Sequence, residues 1–297
     1  MSIAFIKPAL PQQEAVNQPA TLPGFKFLTE QFADAKILRY QVPGFENLSL
    51  KQKTLIYYLS QAALSGRDIT YDQNYKNNLL IRRTLEAIQE GYTGNRDLDD
   101  FNKFTVYLKR VWFCNGIHHH YSTDKILPEF HKEFFSYIID NTPKHKLPLA
   151  KGQTVEQFIE EITPLVFNPD LAPKRVSLNP EKDLVEASAS NFYDGVNQAE
   201  AEEFYRVMKA EAKKSGKDTL VSFGLNSRLV KENGKVTEQV YQVGGKYSKA
   251  IEKIVFWLEK ALTVTETPEQ QDAVAKLIEY YKTGSLVTWD DYNIAWV

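Results

Sequence analysis

Apolar residues recur at helical spacing along most of the chain. After Ser49, the residues Leu55, Leu59 and Ala62 fall on one stripe of a helix. Ser49 is a typical N-cap, and Gly66 is a typical stop. The pattern therefore predicts an amphipathic helix between Ser49 and Gly66.

The same spacing predicts two further helices before the middle of the chain. Ile81, Leu85 and Ile88 lie on one face of the first of these, and Gly91 closes it. The second, over 97–116, begins with acidic residues and ends with basic ones, which is the order that the helix dipole favours. Each helix can bury one face against a neighbour.

Prolines and glycines set the predicted bounds of the next helices. A fourth helix is predicted to begin at Pro128, because the fixed φ of proline suits a first helical turn. A fifth, over 154–167, is predicted to be interrupted at Pro164. A later helix is predicted to be capped by Asn197 and to end at Gly216, with acidic residues early and lysines late.

A strand unit is predicted near the C-terminal end. The segment 219–245 contains alternating β-branched residues around the pair Asn233 and Gly234, which is a typical hairpin turn. Two more helices are predicted after it, over 247–262 and 267–284.

Together these elements predict an α+β protein that is mainly helical. Residues 1–42, which are rich in proline, are predicted to form an extended N-terminal arm, and residues 43–297 a folded body. The closing segment, YNIAWV, is predicted to be a strand that is cut in mid-element.

Charge and cysteine content exclude several classes of protein. A formal net charge of -2 gives no broad attraction for phosphate, so we expect no nucleic acid partner. The sequence shows neither an apolar run of membrane-spanning length nor a typical signal peptide. We therefore expect no membrane association and a cytoplasmic location, with export left open. The single cysteine, Cys114, excludes an internal disulfide and a cysteine-rich zinc site.

Three consecutive histidines, His118 to His120, raise the question of a metal site. A zinc peptidase helix spaces two histidines by one turn with a glutamate between them, and this run lacks that spacing. In an extended segment His118 and His120 face the same side, so a metal shared by these two is one hypothesis. The favoured hypothesis is a polar loop whose rings donate hydrogen bonds, and a substrate cleft is the next.

Five unusual segments stand in a fixed order along the chain. They are ENLSLKQKTLIYYLSQAALSGRDITYDQNY, VWFCNGIHHHYSTDK, NFYDGVNQAEAEEFY, VGGKYSKAIEKIVFWLEKAL and LIEYYKTGSLVTWDDYNIAWV. This order resembles the N-terminal half of dipeptidyl peptidase III, especially its bacterial Bacteroidetes-type members. The resemblance runs from about Pro43 to Val297.

The resemblance implies a two-lobed zinc exopeptidase that removes dipeptides from the N-terminus of short peptides. In this family the peptide binds as an added strand in a cleft, one lobe contains a small β-barrel, and the other holds zinc through an H-E-x-x-G-H helix and a second glutamate. No H-E-x-x-G-H motif occurs in these 297 residues. We therefore expect zinc in the full-length family but none in this chain, whose missing partner is the zinc-bearing C-terminal half.

The resemblance also implies which residues of this chain contact the peptide. One segment follows the third predicted helix, and a second loop precedes the helix capped at Asn197. We expect hydrogen bonding and packing from them, without proton transfer, and we assign no catalytic or metal-binding residue. The substrate-binding candidates are Asn115, His119, His120, Tyr121, Asn191, Phe192, Tyr193 and Asp194.

Two functions follow from these expectations. The first is the substrate-cleft lobe of a zinc-dependent dipeptidyl peptidase III, which is inactive alone because the metal and its base are missing. It corresponds to a truncated gene product or to one piece of a split enzyme. The alternative is a non-catalytic peptide-binding protein that keeps the groove and has lost the metal.

Overall fold

The computed structural model describes residues 24–214 and 222–297. The arm as far as residue 23 and the helix stop at Gly216, both predicted above, lie outside the described residues. The chain divides into two compact units, Met1–Leu48 and Ser49–Val297.

The first unit contains a hairpin that the sequence pattern did not predict. Strand β1 (Leu28–Phe32) pairs antiparallel with β2 (Ala35–Leu38). Most residues of both strands are exposed. The alternation of apolar and polar residues that marks a half-buried strand is therefore missing here.

The second unit is mainly helical, which confirms the α+β prediction in its helical part. Each predicted helix has a counterpart, and α2 and α10 were not predicted. The helices are α1 (Leu50–Ser65), α2 (Arg67–Asn74), α3 (Asn78–Gly91), α4 (Asp99–Cys114), α5 (Lys132–Asp140), α6 (Val155–Phe167), α7 (Gln198–Lys214), α8 (Ser248–Leu262), α9 (Pro268–Thr283) and α10 (Leu286–Trp296).

Polar caps explain why several helices begin where the sequence predicted. The Ser49 hydroxyl accepts a hydrogen bond from the Gln52 amide, and the Gln52 side chain accepts one from the Ser49 amide, which completes a capping box. The Thr267 hydroxyl caps α9 by accepting a hydrogen bond from the Gln270 amide, with Pro268 at the first helical position.

The predicted stop of the first helix at Gly66 is confirmed, whereas the predicted start of the fourth helix was wrong. Gly66 ends α1 in the right-handed region, at φ -87° and ψ -3°, so the chain turns and starts α2 at once. The fourth helix, α5, begins at Lys132 and not at Pro128. Its N-cap, His131, has the extended backbone that a cap requires.

Two further corrections concern α6 and α10. Helix α6 continues through Pro164, because its buried stripe of Phe158, Ile162 and Val166 extends past that residue. The segment YNIAWV is helical as far as Trp296 and not a strand, since residues 292–296 lie within α10, which Ser285 caps. The idea of a strand cut in mid-element therefore does not hold.

The predicted hairpin is confirmed. Strand β4 (Ser227–Glu232) pairs antiparallel with β5 (Lys235–Val240). Asn233 and Gly234 both have positive φ, 51° and 78°, as a tight hairpin turn requires. Strand β3 (Tyr193–Asp194) adds to β4 in parallel, and the strand order is β3-β4-β5. Among the described residues, the two sheets stay open, so they do not form the barrel that the family resemblance implied.

Two apolar clusters carry most of the second unit. The larger joins α3, α4, α5 and α6, and it includes Ile81, Leu85 and Ile88 on the predicted face, all with 0% exposure. The smaller joins α1, α8 and α9 around Ile251 and Leu258. None of the described helices is both long and apolar enough to cross a membrane.

Asn78 connects α2, α3 and the loop after α4. Its side chain is fully buried; Nδ2 donates to the Tyr71 carbonyl at 3.1 Å, and Oδ1 accepts from the Ile117 amide at 3.1 Å. A Cβ at Gly116 would lie 2.1 Å from Asn78 Nδ2, so only glycine allows this close approach.

His118 and Lys125 hold the turn that follows α6. His118 is 1% exposed, and its Nε2 donates to the Ala172 carbonyl at 2.8 Å. The Lys125 ammonium donates to the carbonyls of Asn168 (2.6 Å) and Leu171 (2.9 Å). Burial lowers the pKa of His118 to about 4 and that of Lys125 to about 8.

The substitution Asn78→Ala is expected to lower the free energy of unfolding by about 3 kcal/mol, because it leaves a buried amide and a buried carbonyl without partners. Urea denaturation measures this. Asn102→Ala, at an exposed position of α4, is the control and should change stability by less than about 0.5 kcal/mol. Equal effects of the two substitutions would contradict the role assigned to Asn78.

The stability of the chain is expected to fall as the pH drops from 6.5 towards 4. Below its ordinary pKa of 6.5, His118 takes up a proton in the unfolded chain, whereas the folded chain holds it neutral down to about pH 4. This costs at most about 3 kcal/mol. Denaturation of His118→Gln at several pH values should show a weaker pH dependence, whereas exposed His145→Gln should behave like the unmodified chain. An unchanged slope in His118→Gln would refute the assignment.

Candidate functional site

The last turn of α2 lies between the two predicted peptide-binding segments. On one side, the Asn74 side chain donates from Nδ2 to the Asn115 carbonyl at 3.0 Å. On the other, the Asn191 amide donates to the Gln73 carbonyl at 2.8 Å. A helix that the sequence did not predict therefore anchors both segments.

The first segment leaves α4 through Asn115, which has a left-handed backbone at φ 53°. His119 Nδ1 accepts from the backbone amides of Tyr121 (3.3 Å) and Ser122 (3.2 Å), so this ring stabilises the turn. The tip is Tyr121, whose side chain is 85% exposed.

His120 stands among aromatic rings and a thiol. Its ring centroid lies 5.1 Å from that of Phe113 and 4.4 Å from that of Tyr121, and its Nδ1 lies 3.6 Å from the sulfur of buried Cys114. The His120 carbonyl accepts from Arg175 Nη2 at 3.3 Å. His120 therefore packs against the end of α4, and Tyr121 projects from it.

The residues 173–175 join the two segments through backbone hydrogen bonds on both sides. Towards the first segment, Arg175 donates to the Thr123 carbonyl at 2.8 Å. Towards the second, the amides of Ala189 and Ser190 donate to the carbonyls of Lys174 (2.9 Å) and Arg175 (3.1 Å). The result is a continuous surface of three irregular segments.

The second segment leads into strand β3. The Phe192 carbonyl accepts from the Leu229 amide at 3.0 Å, which fixes the segment to β4. The Asp194 carboxylate pairs with Arg228 Nη1 at 3.3 Å. Burial raises the pKa of the Tyr193 hydroxyl, which keeps it protonated at neutral pH. Because the strand order is β3-β4-β5, β3 is an edge strand among the described residues.

A cavity of about 620 Å³ lies beside this segment. Three of the eight predicted residues line it, Asn191, Tyr193 and Asp194, whereas Phe192 and the four residues of the first segment do not. The remaining walls come from the end of α2, from the turn after α6 and from residues 177–190. They include Tyr75, Lys76, Asp170, Ala172, Lys174, Ser177, Lys182, Glu186, Ser188 and Ser190.

Sequence reasoning missed Arg175 and Arg228. Arg175 donates to the His120 carbonyl of the first segment, and Arg228 pairs with the Asp194 carboxylate of the second. Arg175 lies more than 50 residues from His120, and Arg228 lies more than 30 residues from Asp194. No local motif marks either arginine. The pairing of Arg228 with Asp194 is apparent only in the folded chain, where the hairpin brings β4 beside β3.

The residues present here do not fit a zinc ion. In the described ranges, no group of three or more histidine, cysteine, aspartate or glutamate side chains could hold a metal. The Nε2 atom of His118 carries a proton towards the Ala172 carbonyl, and His119 Nδ1 already accepts from two amides. The hypothesis of a metal shared by His118 and His120 therefore has no support in the geometry.

Comparison with models of protein families gave a match over residues 188–297. This range matches the family model described as peptidase family M49. A comparison with the curated proteins gave no match. Among solved structures, dipeptidyl peptidase III from Caldithrix abyssi is similar at 16% sequence identity and a TM-score of 0.49.

That alignment covers 85% of this chain and 34% of the Caldithrix protein, so the chain spans about a third of that protein's length. The family match is the stronger finding. It begins just before Asn191 and takes in β3, the hairpin and the last four helices, α7 to α10. Residues 188–297 therefore match peptidase family M49, the dipeptidyl peptidase III family, and over this range the resemblance seen in the sequence is confirmed.

Proposed function

We propose that this chain supplies the substrate-cleft lobe of a zinc-dependent dipeptidyl peptidase III and that it binds short peptides along β3. The observation that carries the proposal is that the residues matching the peptidase family include an edge strand beside the cavity. The reaction would be removal of dipeptides from the N-terminus of a bound peptide.

The edge of β3 supports binding of an extended peptide. One side of β3 pairs with β4, and no described strand covers the other side. An exposed strand edge presents amide and carbonyl groups to an added strand, and neighbouring pockets take alternate side chains. The cavity beside Tyr193 offers such a pocket.

The charges around the cavity suit a short peptide with free ends. Three lysines, Lys76, Lys174 and Lys182, line it. Three carboxylates, from Asp170, Glu186 and Asp194, line it as well. A zwitterionic ligand carries one ammonium and one carboxylate group, so it finds partners of both signs, whereas a ligand of one charge meets repulsion from half of these groups.

Tyr121 and the histidine turn are assigned a packing role in this proposal. An exposed aromatic ring on a turn that is fixed by His119 can cover part of an extended ligand without a large loss of conformational entropy. Neither side chain is assigned proton transfer.

Hydrolysis itself is assigned to groups outside these 297 residues. The sequence has no H-E-x-x-G-H motif, and the geometry of the histidines does not suit zinc. The same observations favour the second candidate, a non-catalytic peptide-binding protein. Addition of a separate zinc-bearing half distinguishes the two, since only an enzyme lobe should then gain activity.

The isolated chain is expected to release no arylamine from a dipeptidyl-arylamide, with or without added zinc, because it lacks both the Lewis acid and its base. Fluorescence of the released amine measures turnover, and elemental analysis measures bound zinc. A complete dipeptidyl peptidase III serves as the positive control. Stoichiometric zinc together with turnover would show that the active site has been misplaced.

N-methylation of a bound pentapeptide is expected to weaken binding at alternate positions. In an added strand, every second amide faces the edge of β3, and methylation removes its hydrogen bond, at a cost of about tenfold in affinity. The intervening amides face away and provide matched controls. Calorimetry with each methylated peptide measures the pattern. Uniform affinities across all positions would rule out binding as an added strand.

A further inference from the structure

Asp72, near the end of α2, accepts three hydrogen-bond donors on one carboxylate oxygen. Oδ2 receives the Tyr247 hydroxyl at 2.6 Å, Asn191 Nδ2 at 3.0 Å and the Lys246 ammonium at 3.1 Å. The side chain of Asp72 is 15% exposed. One partly buried carboxylate thus joins α2 to the turn before α8 and to the segment that leads into β3.

The Tyr247 hydroxyl beside Asp72 keeps its proton at neutral pH. Burial, followed by the hydrogen bond to Asp72, raises the pKa of the Tyr247 hydroxyl. A neutral phenol and an ammonium are both donors towards the carboxylate, which can only accept. The direction of these hydrogen bonds is therefore fixed, with Asp72 as the acceptor.

The Asn191 side chain lies between a carboxylate, which only accepts hydrogen bonds, and a guanidinium, which only donates them. Its Nδ2 faces the Asp72 carboxylate, and its Oδ1 faces Arg228 Nη1 at 3.5 Å. An amide turned by 180° would place Nδ2 against the guanidinium and Oδ1 against the carboxylate, and both contacts would be repulsive. The orientation of this amide is therefore determined by its two neighbours.

The backbone of Asn191 is fixed by the same turn of α2. Its amide donates to the Gln73 carbonyl at 2.8 Å, one residue after Asp72. Asn191 is 7% exposed and lines the cavity, two residues before the edge strand begins. Its amide group is thus a rigid polar feature in the wall beside β3.

We propose that Asp72 is the positioning residue of the peptide groove: by fixing the side-chain amide of Asn191, it determines which polar atom of Asn191 a bound peptide contacts. This inference rests on the proposed peptide binding. Asp72 does not line the cavity itself, so it acts through Asn191.

The substitution Asp72→Leu removes the acceptor that fixes Asn191 Nδ2. Arg228 alone then faces the Asn191 side chain, so the orientation of this amide in the cavity wall is no longer determined from both sides. Pentapeptide affinity is expected to fall about tenfold. Asp72→Asn is the conservative control, because its Oδ1 can stay towards the three donors and should keep both the Asn191 orientation and the affinity.

The substitution Asp72→Leu in an Asn191→Ala background separates positioning from simple stabilisation. Asn191→Ala removes the amide that Asp72 orients, so Asp72→Leu should lower peptide affinity no further in this background. It should still lower the denaturation midpoint, because the Tyr247 and Lys246 donors lose their acceptor. Asp68→Asn, on the same helix, removes an equal charge and should leave affinity unchanged.

The experiment is calorimetric titration of pentaalanine with free ends, together with urea denaturation, on the full chain and its variants. A further loss of affinity from Asp72→Leu in the Asn191→Ala background would show a merely structural role for Asp72 and overturn the inference. Undiminished affinity in Asp72→Leu would also overturn the inference and leave the proposed function standing. If the unmodified chain binds no peptide, the proposed function fails, and the inference fails with it.

Discussion

The irregular segments beside α2 depend on the hydrogen bonding of polar groups that the core shields from water. Residues 115–126, 168–176 and 186–194 have little regular structure of their own, yet many of their backbone groups lie against helices. Leaving such groups without partners costs about 1–3 kcal/mol each. Side chains of Asn74, Asn78 and Lys125 supply partners at long range in sequence. The shape of the candidate site follows from this requirement.

The apolar pattern was enough to predict most of the helical body. Ile81, Leu85 and Ile88 all reach the core as their spacing indicates, and the caps at Ser49 and Thr267 lie where the hydroxyls predict. The hairpin followed from a turn that only residues such as asparagine and glycine adopt readily. These are local rules, so the sequence alone carries them.

The sequence was least informative where tertiary contacts overrode local preferences. Gly66 ends α1 as predicted, but it also opens α2, which was not predicted, and buried residues on both sides carry α6 through Pro164. The candidate site shows the same limit. Family resemblance indicated Asn191 to Asp194, whereas the groups that hold them, from Asp72 to Arg228, lie far away in sequence and match no motif. Spatial neighbours of this kind become apparent only in the folded chain.

Strand β3 is two residues long, and this brevity has a consequence for association. A long open edge invites pairing between copies of a protein and leads to aggregation. An edge of two residues offers few backbone groups for pairing with the edge strand of another folded protein. A folded sheet is also too rigid to follow the wall of the cavity. A short flexible chain can follow both the edge and the cavity beside it. Under the proposed function, the dimensions of this edge favour small flexible ligands over folded proteins.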